Sequence, residues 1–251
     1  MRGFHTISIR AVPPDVFCLS DAALMDADTT RVLTIGCSCI NRFQFDFFQD
    51  RHPETARHFV RSLFDWNIVS LVGTESILRH AVDGSLQDML GDATAFFVEW
   101  DVLLFHKQLP GVCFFHEQEI AKTFDDPAQK DILISKLAHQ AAPFLAPDYG
   151  GRTHLVWSNI QPNLPDTVNN VTPWDTFQLT AQRHANVTAL GRDLFGSETS
   201  FSFLTVANDV APELIGAPDV YVIDLPRSPE YEGPPKLYDS LLTGIVARTH
   251  I

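Results

Sequence analysis

The stretch RVLTIGCSCINRFQF, residues 31–45, decides the fold prediction for this chain. Its first part is short, rich in branched apolar residues and closed by Gly36, a pattern typical of a buried strand. Cys37, Ser38 and Cys39 follow this glycine, and the segment after them is compatible with the start of a helix. The stretch therefore predicts a strand, a tight turn and a helix, with the two cysteines and the serine on the turn.

The rest of the chain carries further strands and helices. Helices are predicted over 53–64, 74–84, 126–145, 173–196 and 235–249, and strands over 111–117, 153–159, 200–209 and 219–226. Residues 93–106 are predicted to form either one long strand or two short ones. Strands that alternate with helices from residue 111 onward indicate crossover connections within a layered structure. We predict an α/β protein with one domain over 1–251, built on a central mixed or parallel sheet flanked by helices. Residues 1–30 are expected to form a peripheral N-terminal segment.

Composition narrows the range of partners. The chain has 251 residues, of which 45% are hydrophobic, enough for a sizeable core. Acidic residues number 31 against 18 basic ones, a formal charge of −13, so phosphate backbones and anionic membranes are repelled. No apolar run approaches the roughly 20 residues of a membrane span, and the N-terminus lacks the pattern of a signal peptide. We expect a cytoplasmic protein with neither nucleic acid nor membrane as a partner.

The four cysteines, Cys18, Cys37, Cys39 and Cys113, are too few for a disulfide-stapled domain. One residue separates Cys37 from Cys39, whereas redox pairs usually have two. A zinc site made of Cys37, Cys39, Cys113 and His116 has the right ligand types. However, residues three apart on a strand point to opposite faces, which keeps Cys113 and His116 from sharing a metal. We predict neither a metal nor another cofactor.

Ser38 is a second candidate nucleophile. Esterases of the SGNH type place a serine on the turn after the first strand, in a Gly-Asp-Ser block. Here Cys37 stands at the position of the aspartate, and the Asp-x-x-His motif that such enzymes carry near the C-terminus is missing. A serine esterase or acetyltransferase that uses Ser38 stays open as an alternative.

Cys39 is the preferred candidate. A thiol at a helix N-terminus faces the positive end of the helix dipole, which is expected to lower its pKa. A thiol nucleophile also needs a base and a group that orients the base. His116 ends an apolar strand, and Asn159 ends the next strand, HLVWSN. If these strands are neighbours, Asn159 can orient His116 toward Cys39.

Three segments resemble an uncharacterised bacterial family of papain-like cysteine peptidases. They are IGCSCINRF, RSLFDWNIVSL and LPGVCFFHEQE, and together they cover roughly residues 31 to 120. The resemblance aligns Cys39 with the cysteine of the family, and it matches Phe64-Asp65-Trp66 and Phe114-Phe115-His116-Glu117 to two further family motifs. It implies cysteine peptidase chemistry and, as an alternative fold, a papain-like α+β arrangement.

These observations predict a cysteine-dependent hydrolase or acyltransferase that forms an S-acyl intermediate on an amide, ester or thioester. The substrate would be a small molecule or a peptide. The predicted catalytic residues are Cys39, His116 and Asn159, and the predicted substrate-binding residues are Ser38, Asp65, Trp66 and Gln161. The alternative of another class is a non-catalytic α/β binding module whose cysteines are core residues.

Overall fold

A computed structural model of the chain describes residues 29–147, 151–161, 172–223, 225 and 232–247. The predicted peripheral segment 1–30, apart from its last two residues, lies outside the described residues, as does Cys18. None of the helices within the described ranges combines the length and the apolar character that a membrane span requires.

The central feature is a four-stranded parallel sheet, called sheet A. Its strands are β1 (Thr30–Thr34), β6 (Arg152–Ser158), β7 (Ser200–Thr205) and β8 (Val220–Val222), in that spatial order. In the register, Leu33 pairs with Leu155, which in turn pairs with Phe201. Parallel strands are joined by crossover connections that contain helices. The α/β prediction is confirmed.

The order of strands in sheet A reverses at β1. Phe59 forms a parallel bridge with Val32 on the side of β1 away from β6, and the Val60 N–H donates to the Val32 carbonyl at 3.0 Å. The chain thus passes one side of β1 before it crosses to the other side, where it forms β6, β7 and β8. In sheets of this type, ligands bind at the carboxyl ends of the two strands that flank the reversal. Those strands are β1 and β6.

A second, antiparallel sheet, called sheet B, was not predicted. It contains β2 (Ile68–Val69), β3 (Phe96–Glu99), β4 (Leu103–His106) and β5 (Val112–Phe114), in the order β2-β5-β4-β3. Of the two readings left open for residues 93–106, the two short strands are confirmed, because β3 and β4 form a hairpin with Trp100 and Asp101 at positive φ in its turn. β2 and β5 have only two and three residues, too few for an alternating pattern to appear in the sequence.

Within the described residues, the helices are α1 (Ile40–Arg51), α2 (Leu71–Val82), α3 (Leu86–Gly91), α4 (Gln118–Lys122), α5 (Pro127–Leu145), α6 (Ala181–Phe195) and α7 (Asp239–Ala247). The predicted start of α5 is confirmed: the Asp126 side chain accepts from the Ala128 N–H, and Pro127 occupies the first turn.

Four predicted helix boundaries were wrong. The final helix, predicted from residue 235, begins at Asp239. Residues Pro53–His58 form a short 3-10 helix that leads into extended chain rather than a helix over 53–64. α2 begins after Ser70, whose hydroxyl accepts from the Gly73 N–H, so Thr74 lies inside the helix. The helix expected from residue 173 starts only at Ala181, after a Thr180 cap. A serine caps α2 and a threonine caps α6. Other serine or threonine residues lie nearby in the sequence, so the capping residue could not be identified from residue type alone.

Helices cover both faces of sheet A. α1 and α7 pack on one face, in a cluster of Val32, Phe45, Val156, Leu204 and Leu242, among others. α2, α5 and α6 pack on the other face, in a larger core that sheet B extends, and its members include Leu33, Ile77, Leu137, Leu155 and Val187. All five residues of β1 are buried between these helix layers, although only Val32 and Leu33 among them are apolar.

Candidate functional site

The turn that follows β1 lies between the two sheets. The Cys37 N–H donates to the Ser158 carbonyl at the end of β6, at 3.0 Å, and the Cys37 carbonyl accepts from the Val69 N–H of β2, at 2.7 Å. These bonds fix the turn against both sheets. Cys39 then occupies the N-cap position of α1. The candidate nucleophile therefore stands at the carboxyl end of β1, where the strand order of sheet A reverses.

Gly36 is required at this turn. Its φ is +124°, a conformation that residues with a side chain rarely adopt. A Cβ atom there would lie 3.0 Å from the Thr74 Oγ1 atom and 3.1 Å from the Trp157 Cδ1 atom. The glycine that closes the strand in the sequence is thus needed both for its backbone conformation and for its lack of a side chain.

The thiol of Cys39 contacts the loop after the neighbouring strand. Its Sγ donates a hydrogen bond to the Gln161 Oε1 atom at 3.8 Å. Cys39 is partly exposed, whereas Cys37 and Cys113 are fully buried. Among the described cysteines, Cys39 is thus the one that a reagent or substrate can approach. The structure brings Cys39 and Gln161, two of the predicted site residues, together at the reversal point.

Burial raises the pKa of the Cys39 thiol to about 11, and the negative charge of Glu232 acts in the same direction. This is opposite to the lowering that was expected from its place at a helix N-terminus. The reason is that desolvation disfavours the thiolate more strongly than a helix end favours it. The resting thiol is therefore protonated at neutral pH.

The N-terminus of α1 is uncapped, because the side chain of its N-cap residue, Cys39, makes no hydrogen bond to the first turn. Within the described part of the chain, the backbone N–H groups of Ile40, Asn41 and Arg42 have no acceptor. Such N–H groups carry the positive end of the helix dipole. They can stabilise a negative oxygen that develops on a group bound at Cys39.

Ser38 and Asn159 are buried beside this turn. The Ser38 side chain is 1% exposed, and the one indicated partner of its hydroxyl among the described residues is the adjacent Cys37 thiol. The Asn159 Nδ2 group donates to the Phe177 carbonyl at 2.9 Å, while its Oδ1 atom is buried without a partner in the same ranges. Asn159 is thus held toward the segment that precedes α6, not toward a histidine.

His116 does not pair with Cys39 or with Asn159 by a hydrogen bond in the described part of the chain. Its ring contacts Trp66, with centroids 5.6 Å apart, and Trp66 in turn contacts Phe43 of α1 at 5.4 Å. The condition under which Asn159 would orient His116, that their two strands are neighbours, is not met. β5, which precedes His116, belongs to sheet B, whereas β6 belongs to sheet A.

The His116 ring is exposed on one side, but its neighbours partly desolvate it. This desolvation lowers its pKa, and the positive charge of Lys136 adds to the effect. A histidine with a lowered pKa is neutral at pH 7 and can accept a proton. The chemistry expected of His116 is therefore available, but among the described residues its ring contacts Trp66 and Phe115 and makes no hydrogen bond to Cys39.

Of the predicted substrate-binding residues Asp65 and Trp66, Asp65 lies in the core and Trp66 lies partly at the surface. The Asp65 carboxylate is buried and accepts from the Thr34 hydroxyl at 3.1 Å and from the Ser62 N–H at 2.9 Å. Burial raises its pKa to about 6, against the opposing charge of Arg42. Its bonds tie the 59–65 segment to β1, which is a structural role. Trp66 is partly exposed and is the member of the pair that a substrate can touch.

No set of three or more histidine, cysteine, aspartate or glutamate side chains is arranged to hold a metal within the described ranges. The alternative Cys3His zinc site is thus not assembled there. A separate cavity of about 400 Å³ lies between α3 and α5. Its lining includes Asp88, Asp92 and Ile134, but it shares no residue with the Cys39 turn.

Three residues near the turn were not identified from the sequence: Asn41, Glu232 and Tyr238. Asn41 is a buried polar residue two positions after Cys39, on the face of α1 that packs on the sheet. Its polarity at an otherwise apolar position was the available signal. Glu232 and Tyr238 come from a segment about two hundred residues along the chain, and no local pattern links them to Cys39.

The chain matches no known protein family, and no curated protein or solved structure is similar to it. The resemblance to papain-like cysteine peptidases therefore remains a prediction. Any function has to be argued from the geometry of the turn.

Proposed function

We propose that this protein is a cysteine-dependent hydrolase or acyltransferase that forms an S-acyl intermediate on Cys39. The observation that carries the proposal is the place of Cys39, a partly exposed thiol at the uncapped N-terminus of α1. It stands where the strand order of a parallel sheet reverses, the usual location of a ligand site in such folds. The substrate is a small-molecule or peptide amide, ester or thioester.

In the proposed reaction, the Cys39 Sγ atom attacks the carbonyl carbon of the substrate after losing its proton. The oxygen that becomes negative lies near the N–H groups of the first turn of α1, which have no acceptor among the described residues. The carbon–leaving-group bond then breaks, the leaving group takes up a proton, and a thioester remains on Cys39. Water or a second substrate attacks this thioester and regenerates the thiol.

Deprotonation is the demanding step. With a pKa of about 11 for Cys39, each unit of pH below that value reduces the thiolate population about tenfold. His116 remains the predicted proton carrier. It makes no hydrogen bond to the resting Cys39 thiol among the described residues, so in this proposal it accepts the proton only once a substrate is bound, through a bridging water. Asn159, which bonds to the Phe177 carbonyl, supports the loop that carries Gln161 in this proposal.

Acylation with p-nitrophenyl acetate tests the proposal. The purified chain is incubated at pH 7 to 10, and the acetylated residue is located by mass spectrometry. We expect one acetyl group per chain on Cys39, released by hydroxylamine and absent from Cys39→Ala. Ser38→Ala is the matched control, which should be acylated like the wild type. Absence of acetyl on Cys39 across this pH range contradicts the proposal.

A serine enzyme is the second candidate. The observation in its favour is the buried Ser38 hydroxyl at the same turn, whose one indicated partner among the described residues is the adjacent Cys37 thiol. Its 1% exposure is the argument for placing Cys39 first. A fluorophosphonate probe distinguishes the two, because the serine enzyme is labelled at Ser38 and the cysteine enzyme is not. Labelling of neither residue by either reagent supports the non-catalytic binding module.

We also propose a cytoplasmic location. The three described cysteines are all free thiols, and free thiols are typical of a reducing compartment. Measuring the redox state of Cys39 in cells, by trapping with an alkylating reagent at lysis, checks this part of the proposal. Recovery of Cys39 as a mixed disulfide would contradict it.

A further inference from the structure

Asn41 is the centre of a buried polar network beneath the Cys39 turn. It lies in the first turn of α1 and is fully buried. Its Nδ2 group donates to the Gly36 carbonyl. Its Oδ1 atom accepts two hydrogen bonds, from the Ser158 hydroxyl and from the Tyr238 hydroxyl, both at 2.7 Å. This side chain therefore uses both its donor group and its acceptor atom.

The groups that meet at Asn41 come from distant parts of the chain. Gly36 follows β1, Ser158 ends β6, and Tyr238 lies directly before α7, 197 residues after Asn41. The Gly36 carbonyl also accepts from the Ser158 N–H at 3.2 Å. The ends of the two strands that flank the reversal point are thus joined through one side chain, two residues from Cys39.

The C-terminal segment 232–247 follows α1 beyond this network. The Gln44 Nε2 group donates to the Glu232 carbonyl at 2.8 Å and to the Pro234 carbonyl at 3.0 Å. Near the end of α1, Arg51 forms an ion pair with Asp239. The segment is therefore attached to α1 from its first turn to its last residue, and Tyr238 is its deepest point.

A network of this kind is costly in an apolar core unless every member is paired. Apolar side chains of similar size would fill the same space at least as well. What the hydrogen bonds add is direction, because an amide with three partners allows one arrangement of the turn. Burial raises the pKa of Tyr238, so its hydroxyl keeps its proton and remains a donor to Asn41 at neutral pH.

We propose that Asn41 and Tyr238 are positioning residues that hold the Gly36–Cys39 turn so that the Cys39 thiol faces Gln161. The C-terminal segment is then part of the site rather than only part of the core. Its meaning for catalysis rests on the proposed function. The geometric statement is independent of any substrate and can be tested by the reactivity of the thiol alone.

The test is the rate of iodoacetamide labelling of Cys39, Cys37 and Cys113 in Tyr238→Phe, measured by mass spectrometry from pH 7 to 11. This variant keeps the ring and removes only the hydroxyl that bonds to Asn41. A loosened turn admits water to Cys39, so we expect its apparent pKa to fall by about one unit and its labelling below pH 9 to quicken about tenfold. Tyr221→Phe, on the exposed side of β8, is the matched control and should behave like the wild type.

Two results would overturn the inference. The first is an unchanged labelling profile for Cys39 in both Tyr238→Phe and Ser158→Ala. The second is faster labelling of Cys37 and Cys113 together with Cys39, because both are buried and become accessible only when the whole fold opens. Acetylation of the wild type is scored separately. A shifted labelling profile without acetylation leaves the positioning role standing and removes the proposed function.

Discussion

The Cys39 Sγ atom and the Gln161 Oε1 atom meet at 3.8 Å across the carboxyl ends of two adjacent parallel strands. Cys39 follows β1 and Gln161 follows β6, so neither residue predicts the other from its position in the chain. Their contact marks the point where the strand order of sheet A reverses. In this contact the Cys39 thiol is protonated, because burial raises its pKa, and it donates its proton to the amide oxygen of Gln161.

Glu232→Gln should make Cys39 more reactive. The negative charge of Glu232 raises the pKa of the thiol, and its removal favours the thiolate. We expect iodoacetamide labelling of Cys39 at pH 8 to quicken about threefold, with a smaller difference at high salt because salt screens the charge. Glu213→Gln, at an exposed glutamate, is the control. A slower Cys39 in Glu232→Gln would instead mean that the carboxylate accepts the thiol proton.

His116→Ala should leave the alkylation of Cys39 unchanged. Within the described residues, the His116 ring contacts Trp66 and Phe115 and makes no hydrogen bond to the thiol. The measurement is the labelling rate of Cys39 against pH, compared with His139→Ala, an exposed histidine on α5. If the apparent pKa of Cys39 shifts upward in His116→Ala alone, the two side chains meet in solution and the predicted dyad forms.

Asp65 should make the folded protein less stable as pH rises. Its pKa is about 6 in the fold and 3.8 for the ordinary side chain, so the folded state binds the proton more tightly. The contribution of protonated Asp65 to the free energy of unfolding is therefore fully present below pH 4, and it is lost as the pH rises through 6. We expect this group to lower the free energy of unfolding by about 2 to 3 kcal/mol between pH 4 and pH 7.

The comparison for Asp65 is urea denaturation of the wild type and of Asp65→Asn at both pH values. Asp65→Asn cannot ionise and should lose this part of the pH dependence. Asp83→Asn, at an exposed aspartate, should retain it. Identical pH dependence in the wild type and in Asp65→Asn would show that Asp65 does not titrate in this range.

Gly36→Ala should be far more damaging than Gly84→Ala. Both glycines have positive φ, at +124° and +72°. A Cβ at Gly36 meets Thr74 and Trp157, whereas a Cβ at Gly84 meets nothing within 4 Å. We expect a loss of at least about 2 kcal/mol of unfolding free energy for Gly36→Ala and about 1 kcal/mol for Gly84→Ala. Equal losses in thermal denaturation would contradict the crowding at the turn.

Elements with strong local patterns were predictable. β1 was predicted because the stretch RVLTIG is short, rich in branched apolar residues and closed by Gly36. In the structure all five residues of the strand are buried. α5 was predicted because Asp126 and Pro127 begin it in the usual way. The helix over 53–64 was wrong because its apolar spacing reflects extended chain that packs beside β1, with Phe59 bridging to Val32.

The arrangement of the site was not predictable in the same way. His116 and Asn159 end consecutive predicted strands, and their pairing depended on those strands being neighbours. The short strands β2 and β5 instead pair with each other in sheet B, so β6 is free to pair with β1. Which strands pair depends on contacts between residues far apart along the chain. These contacts produce no recognisable pattern in the sequence of either strand.

By itself, the sequence determined the strand, the glycine turn and the helix that carry Cys39, because each depends on residues close along the chain. Tertiary structure alone decided that β6 lies beside β1, that Gln161 faces the thiol, and that Tyr238 reaches Asn41. It also decided the protonation of Cys39. A pKa depends on how much water and charge surround a group, and those surroundings come from residues more than a hundred positions away.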